Sequence, residues 1–188
     1  MAGDLAALDR RFAVVGGLAV SVRAEPRLTR DVDVALSVVD DAEAEQIVAA
    51  LRARGHEVLA VVEQEATGWM STVRLGRRGD HAGLVTDLLF ASSGVEPEIV
   101  AAAEDIEVLP GLVLPVATIG HLIVMKLWAR DDRRRPADAD DLRALVARAS
   151  ANDWEQSGQA AVQVSERGFD RDRDLATLLV ELRRDGPY

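Results

Sequence analysis

The sequence predicts an α/β fold followed by a helical C-terminal region, and two observations predict it. Up to about residue 116, short runs rich in β-branched residues alternate with helical segments. Beyond residue 117, helical periodicity takes over. With 188 residues, 48% of them hydrophobic, the chain is long enough to bury a substantial core. We therefore expect a core over residues 1–116 and a helical region over 117–188 that packs on it.

Each element of the core follows from its local pattern. Strands are predicted where β-branched and other apolar residues dominate, over residues 12–15, 32–36, 58–62, 71–75 and 84–90. Between the second and third strands, apolar residues recur every three or four positions over 41–54. That spacing predicts a helix with one buried stripe, which Gly55 ends.

Four helices are predicted in the C-terminal region. Thr118 is suited to cap the first, which runs to about Arg130. Pro136 is suited to the first turn of the second. The last two are predicted over about 155–167 and 171–184.

Composition narrows the class of protein. The chain has no cysteine, so disulfides and thiolate metal ligands are excluded, and the cytoplasm is the expected compartment. Its formal net charge of −10 argues against a uniformly basic nucleic-acid binder but allows a local basic patch. No apolar stretch approaches the roughly 20 residues of a spanning helix, so we expect no membrane association.

The strongest chemical signal is the pair of aspartates Asp31 and Asp33 in an apolar strand pattern. A spacing of two places both carboxylates on one face of a strand, where they repel each other. A divalent cation removes that cost, because carboxylate oxygens are preferred ligands of Mg²⁺ and Mn²⁺. The alternative is a solvated pair at the start of an edge strand.

The segment before this pair favours a functional site. Residues 14–20 have the pattern of a strand, a Gly16-Gly17 turn and a short helix. Backbone N–H groups at the start of such a helix can face a phosphate. A phosphate site next to a metal site is typical of a functional site, so this segment argues against a merely solvated aspartate pair.

A third carboxylate, Asp87, interrupts a run that otherwise suits a buried strand. A buried carboxylate needs a partner, and metal coordination shared with Asp31 and Asp33 would supply one. Asp87 could then accept the proton of an attacking hydroxyl. A capping position at the end of the strand is the alternative.

Lys126 is the single lysine among 22 basic residues. It lies in so apolar a segment that its helix is expected to be largely buried. A lysine there either extends its ammonium group to the surface or is kept because its charge is needed. Neutralising a bound triphosphate would need such a charge. The next helix begins with acidic residues, including Asp138 and Asp141, and the helix dipole alone could explain Asp138.

Taken in order, these motifs resemble the AbiEii-type branch of the DNA polymerase β-like nucleotidyltransferases. The ordered set is Gly16-Gly17, Arg27-x-Thr29-x-Asp31-Val32-Asp33, Asp87-Leu88-Leu89-Phe90, Lys126-Leu127 and Arg135-Pro136-Ala137-Asp138-x-x-Asp141-Leu142. The resemblance covers about the first three quarters of the chain. It implies an α/β (α+β) core with a mixed sheet, followed by a helical C-terminal part.

The resemblance also implies a role for each site residue. Two Mg²⁺ ions, or Mn²⁺, would be bound by Asp31, Asp33 and Asp87, and these three with Lys126 would form the catalytic set. Leu18 stands where the superfamily commonly has serine, so the hydroxyl contact to phosphate is either missing or supplied by Ser21 or Thr29. Nucleotide binding is implied for Gly16, Gly17, Ser21, Arg27, Thr29, Lys126, Asp138 and Asp141.

Members of this branch, MenT-like proteins among them, are often toxins of bacterial toxin–antitoxin pairs. The resemblance implies Mg²⁺-dependent transfer of a nucleotide from an NTP to the 3′ end of tRNA. The implied partners are the NTP, the tRNA acceptor end and a cognate antitoxin protein. A basic face for tRNA is expected from Arg10, Arg11, Arg23, Arg27 and Arg30, with Arg74, Arg77 and Arg78 at a hairpin tip. We expect Lys126→Met to cause a severe loss of transfer and to preserve the fold.

Three alternatives stay open at this point. Transfer of AMP to a protein or to a small molecule such as an aminoglycoside would use the same aspartates with another acceptor. A non-catalytic binding module would keep the fold, although three clustered carboxylates without a metal are costly. A metal-dependent nuclease would share the carboxylates but would not need a turn that grips a triphosphate.

Overall fold

A computed structural model describes residues 1–29, 31–64, 68–79, 83–130 and 137–186. Of the residues named above, Arg30, Arg135 and Pro136 lie outside these ranges. The strands are β1 (Phe12–Val15), β2 (Asp31–Leu36), β3 (His56–Glu63), β4 (Met70–Arg77), β5 (Val85–Leu89), β6 (Glu104–Leu109) and β7 (Leu112–Val116). The helices are α1 (Ala2–Ala7), α2 (Gly16–Arg23), α3 (Asp41–Ala53), α4 (Glu96–Ala102), α5 (Ile119–Ala129), α6 (Ala137–Val146), α7 (Ala151–Glu166) and α8 (Leu175–Asp185).

The strands form one mixed sheet in the order β3-β4-β5-β2-β1-β7-β6. Two neighbouring pairs, β2 with β5 and β1 with β7, are parallel. The other neighbours are antiparallel. The expectation of a mixed α/β sheet followed by helices is therefore confirmed.

Helices cover both faces of the sheet, and β2 illustrates why. Its side chains alternate, so Val34 and Leu36 pack with buried residues of α3 on one face. Ala35 points to the other face and packs in a cluster that includes residues of α2 and α5 to α8. That second cluster unites strand residues with the C-terminal helices. The division of the chain at residue 116 stays a prediction, although the described strands end at Val116.

Most predicted elements are present with small shifts at their ends, but α7 begins four residues before its predicted start at 155 and α8 begins four residues after its predicted start at 171. The strand over 12–15 is found as predicted, and the other four predicted strands differ by at most two residues at either end. Thr118 caps α5 as expected, because its side chain accepts a hydrogen bond from the His121 amide. The sequence patterns did not reveal α1, α4 or the hairpin of β6 and β7. No helix among the described residues is both long and apolar enough to cross a membrane.

The buried imidazole of His121 makes the stability of the fold dependent on pH. Only 4% of the residue is exposed, and burial lowers its pKa to about 4, although the charge of Glu98 opposes the shift. The unfolded chain binds this proton near pH 6.5. The lowered pKa therefore contributes stability above about pH 6.5, and this contribution is lost as the pH falls towards 4.

We predict that the free energy of unfolding contains a contribution from His121 of about 2–3 kcal/mol that disappears between about pH 7 and pH 4.5. Urea unfolding of the wild type and of His121→Gln at both pH values measures it. Because carboxylates titrate in both proteins, the difference between the two losses isolates the histidine. Equal losses in the two proteins would contradict the prediction.

Candidate active site

Asp31, Asp33 and Asp87, here called the aspartate cluster, project from one face of the sheet. Parallel pairing of β2 with β5 places Asp33 beside Asp87. Asp31 precedes Asp33 by two residues, so it lies on the same face. The face is the one covered by the helices of the C-terminal region, because Ala35 follows in the same alternation. The structure thus brings the three predicted aspartates together.

Arg74 contacts two members of the aspartate cluster. Antiparallel pairing of β4 with β5 places it opposite Asp87. Its Nε lies 2.8 Å from Asp87 Oδ1, its Nη2 lies 2.7 Å from Asp87 Oδ2, and Nη2 also lies 3.6 Å from Asp31 Oδ2. The hydrogen bonds to Asp87, followed by the charges of the cluster, raise the pKa of Arg74 above its ordinary value. The guanidinium of Arg74 therefore stays protonated and positively charged among the carboxylates.

The expectation that Arg74 lies at a hairpin tip is wrong. β4 continues through Arg77, which pairs with His56 at the start of β3. The alternation of Thr72 and Arg74 with the buried Val73 was the signal for a position inside a strand.

The turn at Gly16 supports Asp33. Gly16 has a φ of +63°, and a Cβ there would lie 1.7 Å from Asp33 Oδ2. Only glycine combines this backbone conformation with room for the carboxylate. Asp33 therefore lies against the first residue of α2, where the helix dipole favours negative charge.

The second glycine faces the loop between α2 and β2. A Cβ on Gly17 would lie 2.6 Å from Arg27 Nη2 and 3.2 Å from Thr29 Oγ1. Ser21 Oγ donates to the Gly17 carbonyl over 2.9 Å, and Thr29 Oγ1 donates to the Asp31 carbonyl over 3.0 Å. The structure brings these four predicted nucleotide-binding residues together. Both hydroxyls hold the loop, and their contact with phosphate stays a prediction.

Lys126 is buried and is paired with carboxylates of α6. Its Nζ lies 2.8 Å from Asp138 Oδ1 and 2.7 Å from Asp141 Oδ2. Arg27 reaches the same Asp141 from the loop after α2, with Nε 2.7 Å from Oδ1 and Nη2 2.9 Å from Oδ2. We call these four residues the Lys126 network. It joins the loop before β2 to α5 and α6.

One cavity of about 270 Å³ connects Asp33 and Asp87 with Lys126. Four predicted residues line it, namely Gly16, Asp33, Asp87 and Lys126. Its apolar wall is formed by Leu89, Leu122, Met125 and Trp128, among others. At the C-terminal side, the guanidinium carbon of Arg171 lies 3.9 Å from the centre of the Trp128 ring. The cavity therefore has a carboxylate side and an aromatic side.

Glu96 orders the loop that follows β5, a role that the sequence patterns did not reveal. The residue is fully buried, and its Oε1 accepts hydrogen bonds from the backbone and hydroxyl groups of both Ser92 and Ser93. Ser92 lines the cavity. Ser93 and Glu96 have the Ser-x-x-Glu spacing of a capping box, which was the available signal, although α4 begins at Glu96 itself with Val95 as its N-cap.

The donor chemistry of the aspartate cluster fits a divalent cation. Three carboxylates on one face offer the oxygen ligands that Mg²⁺ and Mn²⁺ require. As the side chains stand, no three histidine, aspartate or glutamate residues within the described ranges are grouped to hold a metal ion. Both oxygens of Asp87 accept hydrogen bonds from Arg74 instead.

The Lys126 network predicts a structural cost when the lysine is lost. Lys126→Met leaves two buried carboxylates with less positive charge beside them, so we expect the free energy of unfolding to fall by about 3 kcal/mol. Arg143→Met is the matched control, because Arg143 forms an exposed pair with Asp140 and should cost less than about 1 kcal/mol. Urea unfolding measures both. Unchanged stability of Lys126→Met would mean that the network does not hold the fold together.

A family model described as "Nucleotidyl transferase AbiEii toxin, Type IV TA system" matches residues 1–184. A search of curated proteins found no match. Among solved structures, the antibiotic-resistance factor ANT(2'')-Ia is 15% identical, with 97% of this chain and 86% of that chain covered and a TM-score of 0.48.

Two further structures are similar at the same level. JHP933 from Helicobacter pylori is 18% identical, with 99% of this chain and 77% of that chain covered and a TM-score of 0.45. The lincosamide antibiotic adenylyltransferase LnuA is 12% identical, with 77% of this chain and 91% of that chain covered and a TM-score of 0.47. Likeness at this level identifies no substrate. The family match spans nearly the whole chain, and the chain therefore belongs to the AbiEii nucleotidyltransferase toxin family.

Proposed function

We propose that this nucleotidyltransferase is a cytoplasmic toxin that transfers a nucleoside monophosphate from an NTP to the 3′ end of tRNA in a Mg²⁺-dependent reaction. One observation carries the proposal. The aspartate cluster stands on one sheet face beside the Gly16 turn, and the cavity that Asp33 and Asp87 line also reaches Lys126. One cavity is thus lined by carboxylates that could bind metal, by the start of a helix that could bind phosphate and by a buried lysine.

Asp31, Asp33 and Asp87 would hold the metal ions. When bound, such ions stabilise negative charge on the attacking and leaving oxygens of an in-line displacement. Asp33 is the best positioned of the three, because Gly16 leaves room for its carboxylate at the cavity wall. The backbone N–H groups at the start of α2 would face the triphosphate.

The transfer step needs only the NTP and the acceptor hydroxyl as reactants. The oxygen of the acceptor hydroxyl bonds to the α-phosphorus, and the bond from that phosphorus to the bridging oxygen breaks. Pyrophosphate leaves with the electron pair. The proton of the hydroxyl passes to a carboxylate oxygen of Asp87, whose position in the cavity supports this role.

The Lys126 network would shape the nucleotide site. Lys126 lines the cavity, and its two aspartate partners fix where its ammonium group lies. Arg27 ties the loop that contains Thr29 to Asp141, so the loop beside Gly17 is held in place. These contacts support a positioning role in nucleotide binding.

The antitoxin partner is supported by family membership, because the matching family model is described as that of a toxin of a type IV toxin–antitoxin system. The tRNA acceptor rests on the resemblance to MenT-like proteins. The expected basic face is partly neutralised, because carboxylates pair with several of its arginines. These are Arg10 with Glu43, Arg23 with Glu104, Arg27 with Asp141, Arg74 with Asp87 and Arg78 with Glu57. Recognition of tRNA would therefore depend on few free positive charges and on the fit of the acceptor end.

Incubation of the purified protein with Mg²⁺, total tRNA and each α-labelled NTP in turn tests the proposal. We expect labelled tRNA that is lengthened, and we expect Asp33→Asn to lower the rate at least about a hundredfold because a metal ligand and its charge are lost. Asp105→Asn is the control, because Asp105 is an exposed residue of β6, across the sheet from the cluster.

The products separate the alternatives. A labelled protein band or a labelled small molecule, with unlabelled tRNA, would replace the proposed acceptor. Shortened tRNA would indicate a nuclease. Full activity of Asp33→Asn would contradict the role of the aspartate cluster.

A further inference from the structure

The position of the Arg74 guanidinium is the feature that the transfer reaction does not use. Its Nη2 lies between two carboxylates of different strands, 2.7 Å from Asp87 Oδ2 and 3.6 Å from Asp31 Oδ2. A divalent ion held by those two oxygens would lie about 2.0–2.6 Å from each of them. The ion and Nη2 would therefore compete for the same small space.

The two cations also exclude each other electrostatically. A divalent ion in that space would lie within a few ångströms of a guanidinium that stays protonated, and like charges at such distances repel strongly in a partly buried site. Asp87 is 12% exposed at its side chain, so its environment screens the repulsion weakly. Binding of the ion therefore requires Arg74 to move.

Arg74 has room to move. Its side chain is 44% exposed, whereas that of its partner Asp87 is nearly buried. The guanidinium can swing towards solvent while β4 keeps its pairing with β5. The carboxylate stays in place, and only the arginine needs to change rotamer.

We propose that Arg74 is the resident cation of the aspartate cluster, and that a divalent metal ion binds between Asp31 and Asp87 by displacing its guanidinium. This inference rests on the proposed function, because it concerns the same metal site. Arg74 keeps the cluster folded without metal and sets the metal concentration at which the site fills. It also holds Asp87 hydrogen-bonded, so the carboxylate becomes able to accept a proton only after the arginine has left.

Titration with Mn²⁺ alone, without nucleotide, tests the inference on the whole chain. The free Mn²⁺ signal in electron paramagnetic resonance gives the affinity of the wild type, Arg74→Gln and Arg78→Gln. We expect Arg74→Gln to bind Mn²⁺ at least about tenfold more tightly than the wild type, because no bound cation must be displaced. Arg78→Gln removes the same charge from an exposed pair with Glu57, and its affinity should equal that of the wild type.

Two further measurements guard against a variant that does not fold. Arg74→Lys keeps the charge but cannot form the two-pronged contact, so its affinity should lie between those of the wild type and Arg74→Gln. In the wild type itself, the side-chain Nε–H resonance of Arg74 should lose its protection from solvent exchange when Mg²⁺ is added. A protected resonance at saturating Mg²⁺ would overturn the inference.

The outcomes also separate this inference from the proposed function. Tighter Mn²⁺ binding by Arg74→Gln, with no nucleotide transferred to any acceptor, would support the inference and contradict the function. Metal-dependent transfer, with equal or weaker Mn²⁺ binding by Arg74→Gln, would support the function and overturn the inference. Absence of Mn²⁺ binding in both proteins would overturn both.

Discussion

The crowding of like charges on one sheet face is the constraint on which the site depends. Parallel pairing of β2 and β5 puts Asp33 beside Asp87, and Asp31 adds a third carboxylate to the same face. Such a group is costly unless positive charge or helix dipoles oppose it. Arg74 supplies the charge, and the turn at Gly16 lets Asp33 lie at the start of α2. The neighbouring elements are therefore arranged around three carboxylates.

A second charged group fixes the C-terminal helices to this face. Lys126 on α5 is buried against Asp138 and Asp141 of α6, and Arg27 reaches Asp141 from the loop before β2. Breaking a buried pair of this kind costs several kcal/mol, so the network holds the helices and the loop in one arrangement. Residues of α5 form the wall of the cavity opposite the aspartates, so the position of α5 determines the position of that wall. The strands and the C-terminal helices are thus parts of one site.

The sequence predicted what depends on local pattern and missed what depends on pairing between distant segments. The spacing of Asp31 and Asp33 was enough to place them on one face, and the apolar run around Lys126 was enough to predict burial. The partners of Lys126 and the contact between Arg74 and Asp87 depend on register across strands and helices, which no local pattern contains. The hairpin of β6 and β7 was hidden because Glu104, Asp105 and Glu107 dilute the apolar pattern of β6 and Pro115 interrupts the apolar run of β7.

We propose the aspartate cluster as the metal site of nucleotide transfer. Anomalous diffraction from crystals grown with Mn²⁺ and a non-hydrolysable NTP analogue tests it most directly. We predict an anomalous peak within about 2.0–2.6 Å of carboxylate oxygens of Asp31 and Asp87, beside Asp33, with the α-phosphate next to it and Arg74 turned away from Asp87. A Mn²⁺ ion bound elsewhere, with Arg74 still hydrogen-bonded to both oxygens of Asp87, would contradict the claim.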